Sequence, residues 1–201
     1  MSNKINIIGA GGHSKVVIEI AELLGYEIAG VYDQNDQVKE ILKYPVLHNF
    51  SNISKDEKLF FALGSNLNRK KNAGVFQSEY FNLIHPSAII SKNIYLGKGS
   101  VVMAGVVINS SCIIGNHCII NTSASIDHDC EIGDYVHISP KVALAGNVKI
   151  LEGAQIGIGA SIKQNITIGK WSIVGAGSVV IQDVPDNVVV VGNPARIIKN
   201  I

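Results

Sequence analysis

From Ile84 to Pro185 the chain repeats a six-residue pattern without insertion or deletion, which makes 17 hexads. The first residue of every hexad is aliphatic, from Ile84, Ile90 and Leu96 through to Val174 and Val180. Four places later each hexad carries a small or medium-sized residue, among them Ser100, Cys112, Ala124, Ala154 and Ser178. An amphipathic helix needs a period of 3.6 and hairpin strands alternate with a period of two, so six fits neither. It fits a triangular parallel β-solenoid: one hexad forms one face, three hexads form a coil of 18 residues, and coils stack at about 4.8 Å. The aliphatic and small positions then point into the prism. Glycine occupies the second position in six hexads, at Gly97, Gly115, Gly133, Gly157, Gly169 and Gly175, where it is expected to let the chain turn between strands.

Residues 1–83 lack this period and alternate strands with helices. Lys4–Ile8 and Ile28–Tyr32 are predicted strands, with a glycine loop, Gly9-Ala10-Gly11-Gly12-His13-Ser14, and an apolar-periodic helix over Lys15–Leu24 between them. Leu59–Leu63 is a further predicted strand, followed by Gly64-Ser65-Asn66 and a polar helix containing Arg69, Lys70 and Lys71. This is the βαβ opening of a mononucleotide-binding fold, in which backbone N–H groups at a glycine turn and helix start face an anion. Asp33 follows about twenty residues after the loop, but Ser14 stands where the dinucleotide fingerprint has its third glycine, so a full NAD site is not expected. The predicted organisation is therefore an α/β Rossmann-like domain over 1–83 and an all-β solenoid with a C-terminal tail over 84–201.

Composition narrows the partners. With 17 basic and 16 acidic residues, the chain has no electrostatic footprint for nucleic acid or an anionic membrane. No stretch is long and apolar enough for a membrane span or a secretory leader, which makes the cytoplasm the expected compartment. Cys112, Cys118 and Cys130 are odd in number, lack zinc-finger spacing and all fall on the small inward position, so they are expected to be packing residues. Small molecules and further copies of the chain remain as partners.

Ile126-Asp127-His128-Asp129-Cys130-Glu131 is the most polar hexad around a histidine. A histidine flanked by carboxylates suits a general base near neutral pH. Gly146 follows His128 by 18 residues, one full coil, so the two should stack one strand spacing apart with the glycine backbone open to a ligand. His137 lies nine residues from His128 and should face a different part of the prism, so the pair can line one site only across a subunit boundary. His117 is expected to be an exposed solenoid histidine.

The solenoid repeat resembles the hexapeptide-repeat transferases, which implies a left-handed parallel β-helix, a homotrimer and acyl-CoA in clefts between subunits. Gly9-Ala10-Gly11-Gly12-His13-Ser14-Lys15, Asp33, Ala62-Leu63-Gly64-Ser65-Asn66, Ile84-His85-Pro86-Ser87-Ala88 and Gly192-Asn193-Pro194-Ala195-Arg196 together resemble one branch of that superfamily. This is the sialic acid O-acetyltransferase and UDP-4-amino-sugar N-acetyltransferase branch of the bacillosamine pathway. The resemblance implies acetyl transfer from acetyl-CoA to the amino group of a nucleotide-linked sugar of the UDP-4-amino-4,6-dideoxy-N-acetyl-hexosamine type, for bacterial glycan biosynthesis. It implies sugar-nucleotide contacts at Ala10, Gly11, Gly12, His13, Asp33 and Gly64. His128 becomes the catalytic base with Asp129 as its partner where the family pattern has Glu; the Gly146 N–H binds the thioester carbonyl; and acetyl-CoA meets His137, Gly146, Ile158 and Ala176. No metal is expected. The alternatives are O-acetylation of sialic acid by the same machinery, a metal-dependent hydratase on the same helix, and a non-enzymatic scaffold.

Overall fold

The computed structural model describes residues 3–53, 58–76, 78 and 80–201. The chain forms two compact units, Met1–His85 and Pro86–Ile201.

The first unit is a five-stranded sheet. Strands β1 (Lys4–Ile8), β2 (Glu27–Tyr32), β3 (Glu40–Ile41), β4 (Tyr44–Leu47) and β5 (Lys58–Phe61) are ordered β3-β4-β2-β1-β5. All pairs are parallel except β3–β4, a hairpin edge too short and polar to stand out in the sequence. Helix α1 (Gly12–Leu23) crosses from β1 to β2 and buries Val17, Ile18, Ile20 and Ala21; helix α2 (Asn66–Val75) follows β5. The central strand β1 has β2 on one side and β5 on the other, so the loop after it sits at the switch point where open α/β sheets bind ligands. Gly9 in that loop has φ +114°, and a Cβ there would come 2.7 Å from the Ala62 carbonyl oxygen, so this glycine is demanded by the fold. Ser14 is buried and its hydroxyl donates to the Ala62 carbonyl at 3.0 Å, which fastens α1 to the end of β5.

The second unit is the predicted parallel β-helix. Two-residue strands pair in register with strands 18 residues away: Val107 with Ser125, Ile113 with Glu131, Ile119 with His137. One face carries six rungs from Ile89–Ile90 to Val179–Val180, and a second carries five from Tyr95–Leu96 to Thr167–Ile168. The third runs from Val101–Val102 to Ile173–Val174 and continues into Val188–Gly192, which pairs antiparallel with Ala195–Asn200. From Val102 to Val180 every first-position aliphatic is buried, and so are the three cysteines. Each buried Val, Leu or Ile contributes about 1.5–3 kcal/mol, which is why the aliphatic register is unbroken. Inward serines are satisfied by backbone: the Ser100 hydroxyl accepts from the Cys118 N–H at 2.9 Å, and that of Ser172 donates to the Pro185 carbonyl at 2.6 Å.

The corners differ from expectation. The left-handed backbone falls at the fourth position of each hexad, at every sixth residue from Gly99 through Gly105, Ser111 and His117 to Trp171 and Gly177. Most of these corners are Asn, Asp, Ser or larger residues rather than glycine. The second-position glycines have ordinary φ and serve close approach instead: a Cβ on Gly157 would lie 2.6 Å from the Val174 carbonyl oxygen, and one on Gly133 2.8 Å from the Glu152 nitrogen. They are glycine because the coil above passes directly over them. His117 is likewise not exposed. It is 5% accessible, stacked parallel on Tyr135 with ring centroids 5.5 Å apart, and it lies over Gly99, whose missing side chain makes the room. Trp171 covers Gly153 in the same way further along that corner.

Gly157→Ala therefore drives a methyl into backbone that cannot yield and is expected to cost about 1–3 kcal/mol. Chemical denaturation followed by circular dichroism checks this; an unchanged midpoint would mean that the glycine is not a packing requirement.

Candidate active site

His128 and Asp129 follow the strand Ser125–Ile126 at one corner of the β-helix. Asp129 occupies the left-handed position with φ +61°, a conformation that a short carboxylate side chain tolerates well. Its Oδ2 lies 2.7 Å from His128 Nδ1. The shorter Asp thus makes the contact that the family pattern gives to Glu. With Nδ1–H donating to the carboxylate, Nε2 keeps its lone pair and is the atom that can take a proton. The Asp129 hydrogen bond and then the Asp127 charge raise the His128 pKa above its ordinary value. Both side chains are more than half exposed, so the imidazole is open to a solute.

Gly146 stacks on His128 as the 18-residue spacing requires. The Asn147 N–H donates to the His128 carbonyl at 2.9 Å, and a Cβ on Gly146 would sit 2.7 Å from the imidazole Cε1 and 2.9 Å from Nε2. The ring lies against the glycine, and the Gly146 N–H donates to no acceptor among the described residues. A proton acceptor and an open backbone donor thus adjoin each other, a pair suited to deprotonating a nucleophile and stabilising an oxyanion.

His137, Ile158 and Ala176 lie elsewhere on the prism. His137 is on the third face, and its Nε2 is 3.1 Å from the Asn121 amide nitrogen. Ile158 and Ala176 are exposed at the corner that this face leads into, joined by the bond from the Gly177 N–H to the Ile158 carbonyl. These three lie on the third face and the corner after it, whereas His128 lies at the corner after the first face. Among the described residues no group of three or more His, Cys, Asp or Glu side chains could hold a metal ion.

In the first unit, Asp33 ties the glycine loop to the end of β2. Its Oδ2 accepts from the Ala10 N–H at 2.7 Å and its Oδ1 from the Asn35 N–H at 2.8 Å, leaving each oxygen a further lone pair. A Cβ on Gly11, Gly12 or Gly64 would meet nothing within 4 Å among the described residues, and none of the three has positive φ. Unlike Gly9, they are not required by the fold, and their bareness leaves the loop backbone open. Beside them is a cavity of about 660 Å³ at the carboxyl ends of β1 and β2. Asp33, Phe50 and Leu63 line it, together with one face of α2: Asn68, Lys71, Asn72 and Val75. Sequence reasoning found Asp33 but missed the α2 face, whose i, i+3, i+4, i+7 spacing was the available signal.

Arg69, on the helix read as polar, is buried and donates to the carbonyls of Leu63 and Gly64 at 2.9 and 3.2 Å and to Asn66 Oδ1 at 2.9 Å. It holds the turn that carries Gly64. His13, in the first turn of α1, has its Nε2 buried without a hydrogen-bond partner among the described residues. Burial, and secondarily the Arg69 charge, lower its pKa to about 4, so it is neutral near pH 7.

Residues 4–75 match the PglD N-terminal domain, and residues 111–146 and 147–182 each match the bacterial transferase hexapeptide of six repeats. Perosamine N-acetyltransferase (PerB) from Caulobacter crescentus, solved with CoA and GDP-perosamine, is 41% identical with a TM-score of 0.90, over 98% of this chain and 97% of that one. This chain is a PglD-like hexapeptide-repeat acetyltransferase. The acetyltransferase domain of PglB from Neisseria gonorrhoeae is another similar structure of this kind, 37% identical with a TM-score of 0.90, covering 98% of this chain and 100% of that domain. Among curated relatives, UDP-N-acetylbacillosamine N-acetyltransferase of Bacillus subtilis is 43% identical over 110 residues, 50% of this chain. The match spans about half the length of that relative, 51%. Among the described residues of this PglD-like acetyltransferase no helix is long and apolar enough to cross a membrane.

The unpartnered His13 gives a measurable pH dependence. Folding favours its neutral form, so as pH falls below about 6.5 the unfolded chain takes the proton first and stability is lost until about pH 4, where the folded chain also binds it. His13→Gln should flatten the stability profile across that window in denaturant titrations; parallel profiles for the two proteins would contradict the assignment.

Proposed function

We propose that this protein transfers the acetyl group of acetyl-CoA to the amino group of a 4-amino sugar carried on a nucleoside diphosphate, of the UDP-linked type. The observation that carries the reading is the His128–Asp129 pair lying against the open backbone of Gly146. In this mechanism the amine nitrogen attacks the thioester carbonyl while His128 Nε2 accepts the amine proton. The Gly146 N–H bonds the oxygen that becomes negative, and collapse breaks the C–S bond. The proton held on His128 then goes to the departing thiolate, which returns the base to its starting state. Asp129 holds the ring in the tautomer that keeps Nε2 available and stabilises the imidazolium between the two transfers.

The nucleotide part of the acceptor is assigned to Ala10, Gly11, Gly12, His13, Asp33 and Gly64, on residues 1–83 as a sugar-nucleotide domain. Three bare glycines and a helix start favour an anion here. A neutral His13 can donate to a phosphate oxygen without carrying a buried charge. The donor is assigned to His137, Ile158 and Ala176. Because these lie on a different face from His128, the reading includes a homotrimer in which each cleft takes His128 from one chain and His137 from the next. It also includes a cytoplasmic location, where both water-soluble co-substrates would meet the enzyme.

Release of free CoA with UDP-, dTDP- and GDP-4-amino-sugars, and with free and CMP-linked sialic acid, tests the acceptor class. Turnover is expected with the amino sugars and should fall by about 10² to 10⁴ in His128→Ala. Acetylation of sialic acid alone would replace this reading with O-acetylation. For the shared cleft, His128→Ala and His137→Ala chains are refolded together and mixed trimers verified by mass spectrometry. Recovery of activity above both parents is expected, and its absence would place the whole site within one chain.

A further inference from the structure

Asp129 accounts for one side of His128 only. On the other side, Asp127 is held at nearly every polar atom. Its N–H donates to the Leu144 carbonyl at 3.0 Å, and its carbonyl accepts from the Cys112 thiol at 3.0 Å. Its Oδ1 accepts twice, from the His128 backbone N–H at 2.8 Å and from the Asn109 side-chain amide at 2.8 Å. Asn109 stands one coil earlier at the same corner, 18 residues before Asp127, and its own N–H donates to the Ile126 carbonyl at 2.9 Å. Two donors on one carboxylate oxygen fix the rotamer of Asp127, and the bond to the His128 N–H fixes the backbone from which the imidazole projects.

We propose that Asn109, acting through Asp127, is a positioning residue for His128: the two form a brace across two coils that sets the direction of the imidazole and keeps a second negative charge beside it. This rests on His128 being the base of the proposed reaction. Asp127 itself is not assigned a proton transfer, because the oxygen nearest the histidine is already committed to two donors. The titratable groups facing His128 are Asp127 and Asp129 on its own coil and the Cys112 thiol from the coil before. The coil after it presents Gly146 and Asn147, which do not titrate. The hydrogen bonds from Asn109 and His128 lower the Asp127 pKa, so its charge persists wherever the imidazole titrates.

The test reads His128 directly, in the free protein, by NMR titration of its ring proton, assigned by its disappearance in His128→Gln. Asp127→Asn keeps an oxygen acceptor for both donors and removes the charge. Its His128 midpoint is expected to fall, because a neighbouring negative charge that favours the imidazolium has gone; an unchanged midpoint overturns the electrostatic half of the brace whether or not the protein acetylates a sugar. In the turnover assay, Asn109→Ala should lower kcat about two- to tenfold with the KM for acetyl-CoA unchanged. The double variant Asn109→Ala/Asp127→Ala should be no slower than Asp127→Ala alone, because Asn109 acts only through Asp127. A further loss in the double variant, with both proteins equally folded by circular dichroism, would show that Asn109 acts by another route and overturn the positioning role.

Discussion

The hydrogen bonds between successive coils set every distance at the corner that carries His128. A rung of this β-helix is two residues long, too short to hold its place alone, and it is fixed only because the residue 18 positions away occupies the same place one coil up. Closing the triangle at that length needs a left-handed residue at each corner, and the chain supplies one at every sixth position from Gly99 to Gly177. With the corners fixed, the side chains have no freedom of register. His128 falls on Gly146, Asn109 under Asp127, and Trp171 over Gly153 because the coil length leaves them no alternative.

This rigidity explains which features were legible in the sequence. Burial follows the six-residue period strictly, so the aliphatic and small inward positions, the three cysteines and the His128–Gly146 stack could be read from spacing alone. The corners were misread because two demands for glycine look alike in a sequence. Gly157 needs room under a passing backbone, whereas Gly177 sits at a corner with positive φ and open space around it, and Asn147 or Asp129 can meet that second demand but not the first. His117 was misplaced for a related reason. Its position is outward by period, yet a ring at a corner folds back over the bare glycine of the coil before it.

In the first unit the sequence carried less. The loop and Asp33 stood out by residue type, but the hydrogen bond from the Ala10 N–H to Asp33 depends on β1 and β2 being neighbours, which no local pattern states. Arg69 was hidden by the polar composition of α2: a guanidinium buried against the carbonyls of Leu63 and Gly64 has the same one-letter signature as one in water. What distinguishes Gly9 from Gly11 is likewise tertiary. One is required by the Ala62 carbonyl beside it and the other by nothing among the described residues, so only the second is left for a ligand to explain.

The in-register stacking also limits how such a chain can change in length. Losing or gaining one residue in the solenoid would throw every later inward side chain out of register, so the inward pattern survives only steps of six, and the stacking of each face on its own kind survives an insertion only by whole coils of 18. Even then the possible joints are unequal. A coil added beyond Val180 leaves the imidazole resting on bare backbone, whereas one inserted between His128 and Gly146 would set some other residue against the ring and part the two. The size of the protein is therefore free to vary in fixed steps at its far end, while the two coils that carry His128 and Gly146 behave as a single indivisible unit of inheritance.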